Sequence, residues 1–392
     1  MKIAIITFHA PQNCGAFLQA YALQTYLCNN LMLSADILNY RTKRQQQLSS
    51  VFLPLNSVTN LVKNVIFLPH YKKLKEREAE FLSMQNTHLH LTRALPSFQS
   101  FKQMYDEYDL FISGSDQIWN GTLNGFSKGG QEPYYLKDCH KRKISYASSL
   151  GPKDTPAVRS GLEQNIESLR EYEAISVRET LAKNILQEYI DRPVQIVLDP
   201  VFLLDKEAYQ PLFNSRLTPK CKYILLYSVN YPGGILRAAS TLASKTNLPV
   251  LVPYAGRRAV LCQKYGFQIL YNAGPGCFLD LLYNAEFVLT DSFHGTAFSI
   301  LFDKNFLYCP PSVNSASTDK ADQKDNYTTD DRIRTLLDSV GLSHRYLTDL
   351  DNIDLPRNPY PLSGEKMVKE IAAAKAWLQH AIFVNPSSES IP

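Results

Sequence analysis

Short apolar runs alternate along the chain with longer amphipathic stretches, and this alternation limits the possible folds more than any other feature. The apolar runs lie at residues 3–6, 110–112, 144–147, 174–177, 196–198, 223–229, 250–252 and 287–289. Amphipathic stretches lie at residues 16–28, 161–171, 180–188, 235–246 and 278–285. Strands buried on both faces of a parallel sheet are continuously apolar, and the helices that cover them are apolar on one side. The pattern therefore predicts an α/β fold.

The alternation is interrupted by the polar, proline-containing segment DKEAYQPLFNSRLTPK at residues 205–220. A chain of 392 residues that is 45% hydrophobic is long enough for two cores. We predict two Rossmann-like domains, 1–205 and 206–392, that face each other across a cleft in the arrangement called GT-B-like. Because ligands of such sheets bind beyond the carboxyl ends of the strands, the cleft is the expected ligand site.

Three further segments depart from the alternation. Residues 41–93 form an insertion, apolar first and then rich in Lys, Arg and Glu. We expect helices packed on the first domain there, with a patch that contacts an anionic membrane surface as the alternative. The polar stretch 312–331 predicts a mobile loop, with a lid as the alternative. Residues 364–383 predict a final helix on the second domain.

Composition excludes several classes of protein. The net charge of +4, from 41 basic and 37 acidic residues, provides no strong field for nucleic acid, so we expect no nucleic-acid partner. The seven cysteines include no CxxC pair and the eight histidines are dispersed, so we expect reduced thiols and no metal site. The first residues lack a signal-peptide pattern and no apolar stretch reaches about 20 residues. These features predict a cytoplasmic protein, with contact at the inner face of the membrane left open.

The segment TDSFHG, which follows the apolar run at 287–289, is the strongest candidate for chemistry. Asp291 or Ser292 can cap the helix pattern that follows, and Phe293, His294 and Gly295 fall in its first turn. The amide groups and the dipole of such a helix end attract phosphate. His294 is a candidate general acid. Its alternative role is that of a capping or core-packed histidine.

Six short blocks give the chain a recognisable order. They are NCGA at 13–16 with LQAYALQ at 18–24, GSDQIWN at 114–120, SYASSLG at 145–151, ISVRE at 175–179, LDPV at 198–201 and DSFHG at 291–295. In order and spacing these blocks resemble the polysaccharide pyruvyl transferases. The resemblance implies a GT-B-like fold, phosphoenolpyruvate as co-substrate, and neither a cofactor nor an obligatory metal. It also implies a sugar acceptor, free or lipid-linked, that receives a pyruvyl group as a ketal while phosphate is released.

The resemblance also implies roles for donor-site residues. A histidine that matches His294 serves the donor site in this family, and an arginine in the block around Arg178 helps to hold the donor. The guanidinium of Arg178 suits a carboxylate or a phosphate. An ion pair with Glu179 is the alternative.

One departure from the family pattern concerns the donor phosphate. Many members have Arg-Leu-His where this chain has Ser-Phe-His at 292–294. Another cation must then anchor the phosphate. We expect Arg332 to replace the missing arginine, with Arg257 or Arg258 as the alternatives.

Acceptor binding is predicted for residues near the first and second apolar runs. Asp116 follows a strand, where a carboxylate can orient a sugar hydroxyl or remove its proton. Asn13, Gly15 and Ser115 are predicted to contact the acceptor, and Gly15 permits close backbone approach, although it also suits a plain turn. Trp119 offers a face for sugar stacking, with core packing as the alternative.

Two other functions fit the same fold. A GT-B glycosyltransferase would use a nucleotide-sugar, since fold alone does not select the chemistry. A glycan- or lipid-binding scaffold would retain the donor pocket without turnover.

Overall fold

The structure is a computed structural model that describes residues 1–9, 12–42, 45, 50–54, 56–123, 126, 130–311, 330–350, 353 and 364–384. Most of the predicted loop 312–331 lies outside the described residues, which include only its last two. The chain divides into two compact units: Met1–Pro69, Leu82–Leu204 and Lys369–Pro392 form the first, and His70–Phe81 and Asp205–Val368 form the second. The predicted domains are continuous stretches, whereas both structural units combine separate segments of the chain.

The first unit contains a parallel sheet. Its strands are β1 (Lys2–Ile6), β2 (Ser34–Ile37), β3 (Leu110–Ser113), β4 (Arg142–Ser148), β5 (Ala174–Val177) and β6 (Val194–Ile196). Among the described residues they lie in the order β2-β1-β3-β4-β5-β6, and each neighbouring pair is parallel. Every residue of β3 and β5 is buried, which explains their continuous apolar runs.

The second unit contains another parallel sheet. Its strands are β7 (Ile224–Tyr227), β8 (Val250–Pro253), β9 (Gln268–Leu270), β10 (Phe287–Thr290) and β11 (Phe306–Tyr308). In the described part of the chain their order is β11-β10-β7-β8-β9, again with parallel neighbours. Each unit has its own apolar core around its sheet.

Helices connect the strands. They are α1 (Cys14–Thr25), α2 (Val58–Phe67), α3 (Tyr71–His88), α4 (Phe98–Lys102), α5 (Pro156–Glu163), α6 (Ile166–Arg170), α7 (Thr180–Gln187), α8 (Gly233–Thr246), α9 (Pro275–Asn284), α10 (Phe293–Leu301), α11 (Asp331–Ser339) and α12 (Glu365–Phe383). None of the helices in the described residues combines the length and apolar content that crossing a lipid bilayer demands. The predicted α/β class with two parallel-sheet, Rossmann-like units is confirmed.

The apolar runs did not predict β2, β9 or β11. Each of these strands lies at an edge of its sheet and has only three or four residues. In β2 exposed and half-buried residues alternate with buried ones, and β9 begins with an exposed glutamine. Edge strands are less covered than central strands, so β2 and β9 need not be continuously apolar. This reason does not apply to β11, which is buried throughout but has only three residues.

Candidate functional site

In the second unit, polar side chains collect at the carboxyl ends of three neighbouring strands. Ser228 follows β7, Asp291 follows β10, and Tyr308 ends β11. The register aligns Thr290 with both Tyr227 and Tyr308, so these strand ends lie at the same level. Because β8 and β10 flank β7 on opposite sides, this edge includes the topological switch point, where doubly wound sheets bind ligands.

The carboxyl group of Asp291 is the most perturbed acid at this edge. Its Oδ2 accepts a hydrogen bond from Ser228 Oγ at 2.7 Å, and its Oδ1 is buried although the residue as a whole is only half-buried. Burial raises the pKa of Asp291 from 3.8 to about 6; the Ser228 hydrogen bond opposes this shift, and the charge of Asp330 adds to it. Asp291 can therefore carry and release a proton near neutral pH.

His294 lies in the first turn of α10. Ser292 caps this helix, with its Oγ accepting from Gly295 N at 3.4 Å. The imidazole of His294 is 7% exposed and meets the ring of Phe293 edge-on at 5.3 Å. A Cβ on Gly295 would lie 2.3 Å from Thr290 Oγ1, so this position requires glycine for packing. The predicted cap and helix start are confirmed; a donor-binding role for Gly295 would have to come from its backbone.

Tyr308 and Arg332 extend this polar edge. Among the described residues, no hydrogen-bond partner reaches the buried hydroxyl of Tyr308. Burial raises the pKa of that hydroxyl, and the carboxylates of Asp330 and Asp291 raise it further, whereas Arg332 lowers it. Arg332 binds Asp330 through two hydrogen bonds, from Nε at 2.9 Å and from Nη2 at 2.6 Å. Arg332, the arginine expected to replace the missing one, is thus close enough to lower the pKa of Tyr308. It is already paired with the carboxylate of Asp330.

Arg257 approaches the same edge from another strand. It follows the carboxyl end of β8. The neighbouring Gly256 lies close to the residues that follow β7, since a Cβ on Gly256 would be 3.2 Å from Val229 O. Arg257 is half-buried and Arg258 is exposed. Of these two alternatives, Arg257 has the better position to reach a ligand at the strand ends.

In the first unit, Arg178 follows β5 and is enclosed by carboxylates. Its Nη1 donates to Asp199 Oδ2 at 2.7 Å and its Nη2 to Asp116 Oδ1 at 3.2 Å. Glu179 Oε2 lies 3.9 Å from its Nε. The side chain is 1% exposed. The structure therefore shows ion pairs of Arg178 with Asp199 and Asp116, both closer than Glu179, and its side chain is almost fully buried.

The loop after β3 holds Asp116 against Arg178. Gly114 has φ +123° and Asp116 has φ +72°, both in the left-handed region. A Cβ on Gly114 would lie 2.2 Å from Tyr146 O, so only glycine fits this turn. The side chain of Asp116 is 11% exposed and retains contact with solvent beside its ion pair.

Two other predicted acceptor residues, Ser115 and Trp119, make their hydrogen bonds and ring contacts inside the protein. Ser115 is fully buried and donates from Oγ to Asp199 Oδ2 at 2.8 Å. Trp119 is fully buried, stacks on Tyr135 at 5.6 Å and donates from Nε1 to Tyr134 O at 3.0 Å. Both side chains are enclosed in the core, and core packing is the alternative role expected for Trp119.

The start of α1 has a similar structural explanation. Asn13 caps the helix, with Oδ1 accepting from Gly15 N at 2.9 Å and from Ala16 N at 3.3 Å. Gly15 is buried, whereas Asn13 is exposed. Asn13 can still meet a ligand; the amide of Gly15 is occupied by the cap.

Several polar residues at the strand ends were not identified from the sequence. His9, after β1, is fully buried between Thr7 O and Asn39 Oδ1, each 3.2 Å from a ring nitrogen, and burial lowers its pKa to about 4. Ser228 and Tyr308 were missed as well. The available signal for Ser228 was a hydroxyl residue inside the otherwise apolar run at 223–229.

No group of three or more His, Cys, Asp or Glu side chains within the described residues is arranged to hold a metal ion. The polar side chains at the strand ends of the two units contain carboxyl groups, hydroxyls, an imidazole and guanidinium groups. Such side chains can orient an anion and move protons.

Comparison with solved structures supports the fold. A structure from Listeria monocytogenes described as a UDP-N-acetylglucosamine 2-epimerase has a TM-score of 0.50 and 9% identity, covering 98% of this chain and 96% of that one. The UDP-GlcNAc 2-epimerase of Methanocaldococcus jannaschii has a TM-score of 0.44 and 13% identity, covering 95% of this chain and 100% of that one. The Listeria structure indicates a GT-B-like fold class, and at this identity it indicates nothing about activity.

Comparison with known sequences supplies the family. None of the curated proteins matches the chain. The sequence model of the family described as polysaccharide pyruvyl transferase matches residues 13–312, from the cap of α1 through β11. This match covers well over half of the chain and includes the strand-end clusters around Arg178 and His294. The chain therefore belongs to the polysaccharide pyruvyl transferase family.

Proposed function

We propose that the protein transfers a pyruvyl group from phosphoenolpyruvate to a pair of hydroxyls on a sugar of a polysaccharide or its precursor. The products are a pyruvate ketal and inorganic phosphate. One observation carries this proposal: in a chain of this family, Asp291, with a pKa raised to about 6, directly precedes the capped helix end that bears His294. A proton source thus adjoins a site suited to an anion.

The amino end of α10 is the proposed site for the donor phosphate. The backbone amides of Phe293 and His294 belong to its first turn. A helix dipole contributes only about 0.3–1 kcal/mol at an exposed site and about 2 kcal/mol in a partly buried one. A guanidinium is therefore needed as well, and Arg332 or Arg257 is proposed to supply it. Arg178 is not proposed for this role, because its side chain is enclosed by acids.

The chemical step begins with protonation of the donor. Asp291, supported by His294, gives its proton to the methylene carbon, whose π electrons form the new C–H bond. Positive charge develops on the adjacent carbon, and a sugar hydroxyl attacks there and loses its proton. A second hydroxyl of the same sugar then attacks the same carbon and gives its proton to the Asp291 carboxylate left by the first step, while phosphate leaves with the electrons of its C–O bond. Orientation and electrostatic stabilisation supply the rate enhancement.

Asp116 is proposed to accept the proton of the attacking hydroxyl. Its remaining exposure permits this contact, and the Arg178 hydrogen bond fixes its orientation. Arg178 therefore acts through Asp116. Asn13, which is exposed at the start of α1, is proposed to contact the acceptor.

The test uses purified protein, phosphoenolpyruvate and a panel of free, nucleotide-bound and lipid-linked sugars. Phosphate release and product mass are measured in the same reactions. We expect phosphate to be released in step with an acceptor that gains pyruvate and loses water. Release of a nucleoside diphosphate from a nucleotide-sugar would instead identify a glycosyltransferase. Binding of phosphoenolpyruvate without turnover on any acceptor would indicate a scaffold.

A further inference from the structure

Helix α2 in the insertion has its apolar side turned to solvent. Five apolar residues on that side, and Leu68 directly after the helix, are between 51% and 77% exposed: Val58, Leu61, Val62, Val65, Ile66 and Leu68. Their spacing of three and four residues places them on one side of a helix. Asn64 and Phe67 are the buried residues of α2. A helix that packed only for stability would bury the apolar side, so this orientation needs another explanation.

The orientation of α2 is fixed by its polar side. Asn64 forms two hydrogen bonds with the backbone of Leu53, one to the carbonyl oxygen and one from the amide, both at 2.9 Å. The side-chain amide of Asn60 donates to Pro54 O at 3.0 Å. Its backbone N–H donates to Oγ of Ser57, the residue that caps α2, at 3.2 Å. These contacts hold the polar side against the preceding segment. The apolar side therefore faces outward in the folded chain.

The charge of this region is one-sided. Residues 37–75 contain seven Lys and Arg and no Asp or Glu, whereas the whole chain has 41 basic and 37 acidic residues. Lys63 is exposed on α2 itself. An exposed apolar helix side within a purely basic segment is complementary to an anionic lipid surface.

We propose that α2 docks the protein on the surface of an anionic phospholipid bilayer. The apolar side would enter the boundary between headgroups and acyl chains while Lys63 contacts lipid phosphates. A second copy of the chain fits less well, because a two-fold contact would bring two basic segments together. This inference goes beyond the transfer reaction: it concerns where the protein is held, and it stands or falls independently of the donor chemistry.

Vesicle flotation with the full chain tests the docking. One set of vesicles contains phosphatidylcholine only, and the other also contains phosphatidylglycerol. We expect the protein to float with the phosphatidylglycerol vesicles and to be released at high salt, since the lysine contribution is screened. A wild-type chain that stays unbound on anionic vesicles at low salt would overturn the proposal.

Matched substitutions separate the apolar and the basic contributions. Val62→Ser should weaken binding to anionic vesicles by roughly five- to tenfold, from the lost apolar burial. Val368→Ser is its control, because both valines are on helices and both are 52% exposed. Lys63→Gln should weaken binding by about fivefold, from about 1 kcal/mol per lysine near an anionic surface, and reduce its salt dependence. Lys220→Gln, at an exposed lysine of the second unit, is its control.

Two results would contradict the proposal even if the wild type bound. Equal losses in the test and control variants would indicate non-specific adsorption. A concentration-dependent dimer in sedimentation, broken by Val62→Ser and accompanied by no flotation, would assign the apolar side to self-association instead.

Discussion

The strand ends of the two units contain similar residue types but differ in how their charges are balanced. In the first unit, the guanidinium of Arg178 is hydrogen-bonded to Asp199 and Asp116, and its side chain is 1% exposed. In the second unit, burial keeps Asp291 protonated up to about pH 6. A buried ion pair holds structure, whereas a buried acid with a raised pKa is a proton source. In the proposed reaction, Arg178 positions Asp116 of the first cluster to accept a proton, and Asp291 of the second cluster supplies one.

The largest effect is expected from the proton source. Asp291→Asn and His294→Ala should each lower kcat by about 10²–10⁴-fold, the usual range for loss of a general acid or its support. Phosphate release with phosphoenolpyruvate measures the effect. His344→Ala, at an exposed histidine of the same unit, is the control and should retain full activity. If a folded Asp291→Asn variant kept the wild-type kcat, Asp291 would not be the proton source, and this difference between the two clusters would be lost.

The next effect concerns the ion pair. Arg178→Met should reduce the free energy of unfolding by about 3–5 kcal/mol, because Asp199 and Asp116 would be left buried without their partner. Arg170→Met, which breaks an exposed pair with Glu167, should cost less than about 1 kcal/mol. Urea unfolding measures both. If Arg178→Met kept its stability but lost affinity for phosphoenolpyruvate, Arg178 would be a donor ligand after all.

The pH dependence of stability sharpens the same comparison. Asp291 binds its proton more tightly in the folded state, where its pKa is about 6, than in the unfolded state, where its pKa is the ordinary 3.8. Between these two pH values the folded protein therefore carries more of this proton. The contribution of Asp291 to the free energy of unfolding is therefore complete below pH 3.8 and falls by about 3 kcal/mol as pH rises through 6. The Asp291→Asn variant should lack this fall. If urea unfolding gave the two proteins the same dependence of unfolding free energy on pH, the pKa of Asp291 would not be raised in the folded state.

The smallest effect tests the packing behind His294. Gly295→Ala should cost about 1–3 kcal/mol, since its Cβ would lie 2.3 Å from Thr290 Oγ1. Gly161→Ala in α5 is the control: the nearest atom to its Cβ would be the end of the Gln131 side chain, at 3.0 Å, the Tyr135 hydroxyl would be at 3.8 Å, and alanine favours the helix. Thermal unfolding compares the two. Equal stability of both variants would mean that α10 can shift without strain.

The sequence predicted the central strands and the family because both depend on local patterns. Continuous apolar runs gave β3 and β5, and the segment after residue 290 gave the cap and start of α10. The edge strands β2 and β9 escaped prediction because they are short and less covered, and β11 is buried but has only three residues. The partners of Arg178 also escaped, since Asp199 and Asp116 are 21 and 62 residues away in the chain. Only the register of the sheet brings such residues together.

The most direct test of proton transfer to phosphoenolpyruvate is the reaction in D₂O with the wild-type protein and an accepting sugar. The account predicts one phosphate released per acceptor, and a ketal whose new methyl group carries a single deuterium from the proton source. A product that retains the methylene as a vinyl ether, without deuterium, would contradict it.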